Sequence, residues 1–164
     1  MTEKRYHAVQ RWFKARPTAL RAMLTANKLL TILVYLSYLV MLALLVFTRD
    51  GRLWKAVLFP AVVFLGGSAI RAAINAPRPY EVYHTPALVN KDRAGQSFPS
   101  RHMFSAAVLA MCGLWLCPPL GVALGVVVVL MAPIRVLSGV HFVRDVVAGV
   151  LFGAVAGWIG FWVI

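Results

Sequence analysis

The sequence predicts an all-α polytopic membrane helix bundle, with about five transmembrane helices behind an N-terminal interfacial amphipathic helix. Three observations carry that prediction. Of 164 residues, 61% are hydrophobic and only 13% charged, a balance outside the range of water-soluble domains. Uncharged runs recur at the length needed to cross a hydrocarbon core of roughly 30 Å. The net charge of +12, from 17 basic against 5 acidic side chains, gathers at the ends of those runs, as headgroup contact and topology demand. The same composition excludes other classes. No basic module interleaved with aromatics points to nucleic acid. Cys112 and Cys117 fall in an apolar run and read as small hydrophobes, without a disulfide framework. No cleavable signal peptide is visible, since the first long apolar run begins near residue 29 and is long enough to span.

Two regions follow: an interfacial segment over 1–28 and a transmembrane domain over 29–164. The first carries Lys4, Arg5, Arg11, Lys14, Arg16, Arg21 and Lys28 among Tyr6, Val9, Trp12, Phe13, Leu20, Met23 and Leu24. It is too charged to span, and reads as one or two amphipathic helices, broken near Pro17, on an anionic leaflet. Leu29 to Thr48 is the first span. Arg49-Asp50-Gly51-Arg52 turns the chain, and Leu53 to Ile74 returns as the second, with Trp54 and Lys55 as interfacial anchors and Gly66 and Gly67 allowing a close neighbour. Residues 75–100 form a polar connection with Pro77, Pro79, Pro86, Gly95, Pro99 and the run Lys91-Asp92-Arg93; a connection this long in a small protein is functional or disordered. His102 to Ile134 is uncharged but broken by Cys117-Pro118-Pro119, so it folds as a hairpin of the third and fourth spans. The fifth runs from about Asp145 to Ile164. Gly149, Gly153 and Gly157 line one of its faces, for packing inside the bundle or for a homodimer.

This hairpin puts Arg71, Arg78, Ser100, Arg101, His102, Arg135, His141 and Asp145 at helix ends on one side of the membrane. The other side offers the turn near Asp50, the double proline and the C-terminus, with no histidine. Asp145 follows His141 by four residues, which allows a carboxylate–imidazole contact at a helix start. Such a contact fixes the tautomer and leaves the other ring nitrogen nucleophilic. His102 could supply a proton to a leaving oxygen, and the arginines match a phosphoryl group and its transition state. Together these residues describe phosphoryl transfer through a phosphohistidine. A zinc or magnesium site is disfavoured, because several arginines repel a cation and no carboxylate cluster is present; no cofactor is implied. Any single arginine could instead be a headgroup anchor.

Within this set, Ser97-Phe98-Pro99-Ser100-Arg101-His102 concentrates hydroxyl, guanidinium and imidazole just ahead of an apolar run. Pro99 pushes Phe98 out of the helical region, so a helix begins at about Ser100 and its N-terminus can dock a phosphate. On this stretch alone a helix cap with a snorkelling arginine is an equal reading.

The chain resembles the type-2 phosphatidic acid phosphatase family, as a small bacterial-type membrane member; that family shares its active-site core with the vanadium haloperoxidases. Its first motif, a lysine, six residues and Arg-Pro, reads here as Arg71 to Arg78-Pro79. Its second, Pro-Ser-Gly-His, reads Pro99-Ser100-Arg101-His102. Its third, Ser-Arg, five residues, His, three residues, Asp, reads Ile134-Arg135 to His141 and Asp145. The resemblance implies His141 as nucleophile, Asp145 as its partner and His102 as the acid. It implies Arg71, Arg78, Ser100, Arg135 and the backbone N–H of residue 101 as phosphate ligands. Arg71 replaces the family's lysine, Ile134 its serine and Arg101 its glycine. Arg101 would be strained if a positive φ is needed there; otherwise it adds a charge for a second phosphate or an acidic headgroup.

The expected partners are the bilayer and a lipid phosphate or diphosphate: phosphatidic acid, phosphatidylglycerol phosphate or polyprenyl diphosphate. A non-catalytic anion carrier or lipid-binding protein is the competing class, and haloperoxidase activity a remoter one. Only Arg49, Arg52 and Lys55 of the 17 basic residues lie on the side away from the motifs, so the positive-inside rule puts the motif side in the cytoplasm. Many bacterial relatives have six spans and an extracytoplasmic site.

Overall fold

The computed structural model describes residues 2–89 and 94–164; Lys91, Asp92 and Arg93 of the polar connection lie outside the described residues. The described chain is helical: α1 (Glu3–Lys14), α2 (Pro17–Phe47), α3 (Leu53–Ile74), a single turn α4 (Pro79–Val82), α5 (Arg101–Leu116), α6 (Pro118–Leu137) and α7 (Val143–Trp158), which continues as a π-helical turn over Ile159–Val163. The protein is an integral membrane helix bundle. α2, α3, α6 and α7 with its π-helical extension are each long and apolar enough to cross a bilayer.

The expected third span, α5, differs in kind. At 16 residues it is shorter than the other spans, and it forms the centre of the bundle, packed against α2, α3, α6 and α7. Met103, Phe104, Val108, Leu109 and Cys112 on α5 meet Val34, Leu124, Met131 and Val146 from its neighbours in one buried core. Leu36, Leu44, Leu65, Val129 and Leu151 point outward on the surrounding helices and are more than half exposed, as lipid-facing residues are.

Turn chemistry sets the boundaries. Cys117 is extended and Pro118 occupies the first position of α6, which makes the tight α5–α6 hairpin. α3 ends at Asn75 in the left-handed conformation, φ 43°. Two boundaries differ from expectation. α2 begins at Pro17 and runs unbroken for 31 residues, so the charged second half of the interfacial segment is the first part of a spanning helix. Arg21 and Lys28 are excluded from hydrocarbon but are good helix formers, and no Gly or Pro follows Pro17 to interrupt the hydrogen bonds. α7 begins at Val143, so Asp145 sits in its first turn.

The glycine stripe packs inside the bundle. A Cβ at Gly149 would lie 2.7 Å from the Ser100 carbonyl oxygen, and one at Gly153 would overlap that of Phe104. α5 therefore covers this face within one chain, and it is not available to a second copy as the homodimer reading required. Of the α3 pair only Gly67 is a close-approach site, against the Phe104 ring; a methyl at Gly66 would have nothing within 4 Å.

Candidate active site

Six segments converge at one end of the bundle. The last turn of α3 supplies Arg71, the extended segment after it Arg78, and the N-terminus of α5 Ser100, Arg101 and His102. The last turn of α6 supplies Arg135, the following turn His141, and the first turn of α7 Asp145. The connection between α3 and α5 is folded against this end. Glu81 accepts from the backbone N–H groups of Arg78 (2.8 Å) and Gly95 (2.9 Å), and the Ser97 N–H donates to the Ala76 carbonyl at 2.8 Å. The Ser100 N–H donates to the Asp145 carbonyl at 2.8 Å, joining the start of α5 to the start of α7. The Phe98–Pro99 peptide bond is cis.

Arg71, Arg78, Arg101, His102, Arg135, Val140 and His141 line a narrow cleft here. Ser100 and Asp145 are buried next to these side chains. The residues named from the sequence are thus all brought together. Arg71 donates to the carbonyls of Pro99 and Gln96, and Arg78 Nε donates to the Gly95 carbonyl at 2.8 Å, so both also hold the loop that carries Ser97. Arg135 donates to Thr31 Oγ1 at 3.3 Å from α2. Arg101 is exposed at the cleft mouth and occupies an ordinary helical position, not a positive φ, so its side chain is tolerated without strain where the family motif has glycine.

The imidazole and carboxylate are linked differently from the expected direct contact. His141 Nδ1 lies 3.8 Å from Asp145 Oδ2, too long for a hydrogen bond. Ser97 stands between them: its hydroxyl donates to Asp145 Oδ2 at 2.6 Å, and its oxygen is 3.4 Å from His141 Nδ1. The Phe142 N–H donates to the same carboxylate oxygen at 2.9 Å. With Nδ1 turned towards Ser97 and Asp145, Nε2 is the nitrogen left for the cleft. His141 is only 4% exposed. Burial, helped by the charges of Arg78 and Arg71 and opposed by Asp145, takes its pKa down to about 4, so the ring is neutral at neutral pH.

The electrostatics favour an anion. Arg71, Arg78 and Arg135 are all buried, and the one buried carboxylate among the described residues is Asp145. Arg135 Nε and Ser100 Oγ are buried without a hydrogen-bond partner, two donors that an oxyanion could satisfy. No group of three or more His, Cys, Asp or Glu side chains that could hold a metal ion forms among the described residues.

Ser97, Glu81 and Thr31 were not singled out as site residues from the sequence. Ser97 lies inside the hexapeptide, but its partner is 48 positions away and only the fold joins them. An apolar groove of about 250 Å³ lies between α2, α3 and α5, lined by Tyr35, Tyr38, Pro60, Phe64, Ser105 and Val108 among others. Apolar grooves have no local sequence signature in chains where every span is apolar.

Similarities to known proteins agree with this picture. The structure superposes on that of LpxE from Aquifex aeolicus with a TM-score of 0.71 at 21% identity, covering 96% of this chain and 92% of that one. It also superposes on the transmembrane PAP2 type phosphatidylglycerolphosphate phosphatase from Bacillus subtilis with a TM-score of 0.66 at 26% identity, covering 97% and 85%. No curated protein sequence matches significantly. The profile of the PAP2 superfamily matches residues 34–164, which include every lining residue of the cleft, and on that match the chain belongs to the PAP2 superfamily.

Proposed function

We propose that this protein is a membrane phosphatase that removes a terminal phosphate from a lipid phosphate or diphosphate, without a metal, through a phosphohistidine at His141. The observation that carries the reading is the burial of Arg71, Arg78 and Arg135 around the buried His141, with Asp145 the one buried carboxylate among the described residues. Buried cations without enough counter-charge are costly, and a bound phosphoryl group offsets that cost. In the first step His141 Nε2 bonds to phosphorus as the bond to the lipid oxygen breaks, and His102 protonates that oxygen. Ser97 accepts from Nδ1–H and passes its own hydrogen bond to Asp145, stabilising the positive ring that forms. Water then gives a proton to His102 and attacks the phosphorus as the bond to Nε2 breaks, releasing inorganic phosphate and restoring both imidazoles. Arg71, Arg78, Arg135, Ser100 and the α5 N-terminus hold the phosphoryl oxygens, while Arg101 at the cleft mouth binds a second phosphate or an acidic headgroup of the substrate. The groove between α2, α3 and α5 takes the acyl or prenyl chain.

Support for lipid substrates comes from family membership and from the Bacillus subtilis neighbour, which is a phosphatidylglycerolphosphate phosphatase. The experiment is phosphate release from phosphatidic acid, phosphatidylglycerol phosphate and polyprenyl diphosphate, with and without a chelator, by the wild type and by His141→Ala. The expected result is chelator-insensitive release from at least one lipid, lost by more than about a thousandfold in the variant. Equal release from both proteins would sink the enzyme reading in favour of an anion carrier using the same arginines.

A further inference from the structure

α1 lies outside the part of the chain that matches the family, which begins at residue 34. One face of it packs against the rest of the protein. The residues it buries are polar, Tyr6 and Gln10, while Trp12 is 47% exposed and Lys4, Arg5 and Arg11 face away from the protein. Both buried side chains are donors to loop or helix-end carbonyls. The Tyr6 hydroxyl donates to the Thr85 carbonyl at 3.1 Å, and Gln10 Nε2 reaches the Leu137 carbonyl at 3.5 Å. Burial raises the Tyr6 pKa to about 12, so the phenol remains a donor at any physiological pH.

Leu137 is the last residue of α6, two after Arg135 and four before His141. Its carbonyl has no intrahelical partner, and Gln10 supplies one. Gly139 follows with φ +79°, and a Cβ there would lie 2.8 Å from both Gln10 Nε2 and the Tyr6 hydroxyl. α1 and the turn are therefore in direct contact. The segment that Tyr6 holds is itself tied to the same turn, since the Leu88 N–H donates to the Ser138 carbonyl at 3.0 Å, and His7 adds a contact to Thr85 Oγ1 at 3.2 Å.

We propose that α1 is a clamp on the turn that carries the nucleophile, with Tyr6 and Gln10 as positioning residues that fix His141 relative to Arg135. The kinetic arm of its test rests on the phosphatase reading; the structural arm does not. Tyr6→Phe keeps the ring against Tyr83, 5.1 Å between centroids, and Gln10→Met keeps the length of the side chain, so each removes a donor with little change in packing. The full-length variants are compared by hydrogen exchange and by steady-state phosphate release in detergent.

The expected result is faster exchange over residues 137–141 with α3 and α5 unchanged, and a kcat lowered about tenfold with KM within twofold, as loss of orientation gives. Arg11→Gln, on the outward face, should leave both unchanged. Unaltered exchange at 137–141 overturns the clamp, and so does faster exchange with full kcat. An equal loss of kcat in Arg11→Gln also overturns it, by showing that α1 acts through membrane attachment. If the wild type releases no phosphate from any lipid while exchange at 137–141 still rises in the variants, the clamp stands and the phosphatase reading falls.

Discussion

Protonation of His141 would add another positive charge to a pocket already crowded with arginine, and burial resists it. A nucleophile held neutral down to about pH 4 should give a kcat/KM whose acid limb lies well below the ordinary histidine value of 6.5. The same shift acts on stability with a definite sign. Between about pH 4 and 6.5 the unfolded chain binds the proton and the folded one does not, so stability is lost as pH falls through that window. Thermal unfolding at pH 7 and pH 5 checks this, and His141→Ala should flatten the difference. Ser97→Ala removes the hydroxyl that shares the Asp145 charge. We expect kcat to fall about tenfold and the acid limb to move up, because His141 then meets a less satisfied carboxylate. Arg101→Gly should change preference among lipid headgroups and keep turnover; abolished turnover would refute the cleft-mouth role. The hexapeptide's importance was legible because unlike polar residues crowd a helix start, but the Ser97 bridge was not, because it depends on a contact 48 residues away.

At the scale of elements, α5 and α7 touch through backbone. Gly153→Ala drives a methyl into the Phe104 carbonyl oxygen and should destabilise by about 1–3 kcal/mol, read as a lowered unfolding temperature in detergent. Gly66→Ala, with open space around it, should be neutral or slightly stabilising. The sequence marked the α3 boundaries and the α5–α6 hairpin correctly because charge, Asn and Pro punctuate them. It did not mark the start of α2, since a charged helical turn leaving a membrane looks like a separate surface helix until its hydrogen bonds are traced. Nor did it separate Gly66 from Gly67, whose difference is one step of helical phase and is decided by where Phe104 packs. The docking of α1 was hidden for a related reason. Lys4, Arg5 and Trp12 announce a lipid surface, whereas the two residues that bind protein, Tyr6 and Gln10, look ordinary in an amphipathic pattern.

For the whole molecule, charge asymmetry between the two ends predicts an orientation that can be tested with a residue already present. Cys112 is buried and Cys117 is exposed at the end opposite the cleft. With the basic end in the cytoplasm, as the positive-inside rule expects, a membrane-impermeant maleimide should label Cys117 in intact cells, and labelling only after lysis would reverse the topology. The central helix then has a consequence of its own. Sixteen residues of α5 measure about 24 Å, several ångströms less than the roughly 30 Å of hydrocarbon. If the Cys117 turn reaches the far surface, the helix stops before the near one, and Ser100 marks a depth below the waterline. A phosphate tethered to a chain in the bilayer arrives at that depth by lateral diffusion, whereas a free phosphate ester must leave water to reach it. Selection for lipids over soluble esters would then begin with the reach of one short helix, before any side chain reads the substrate.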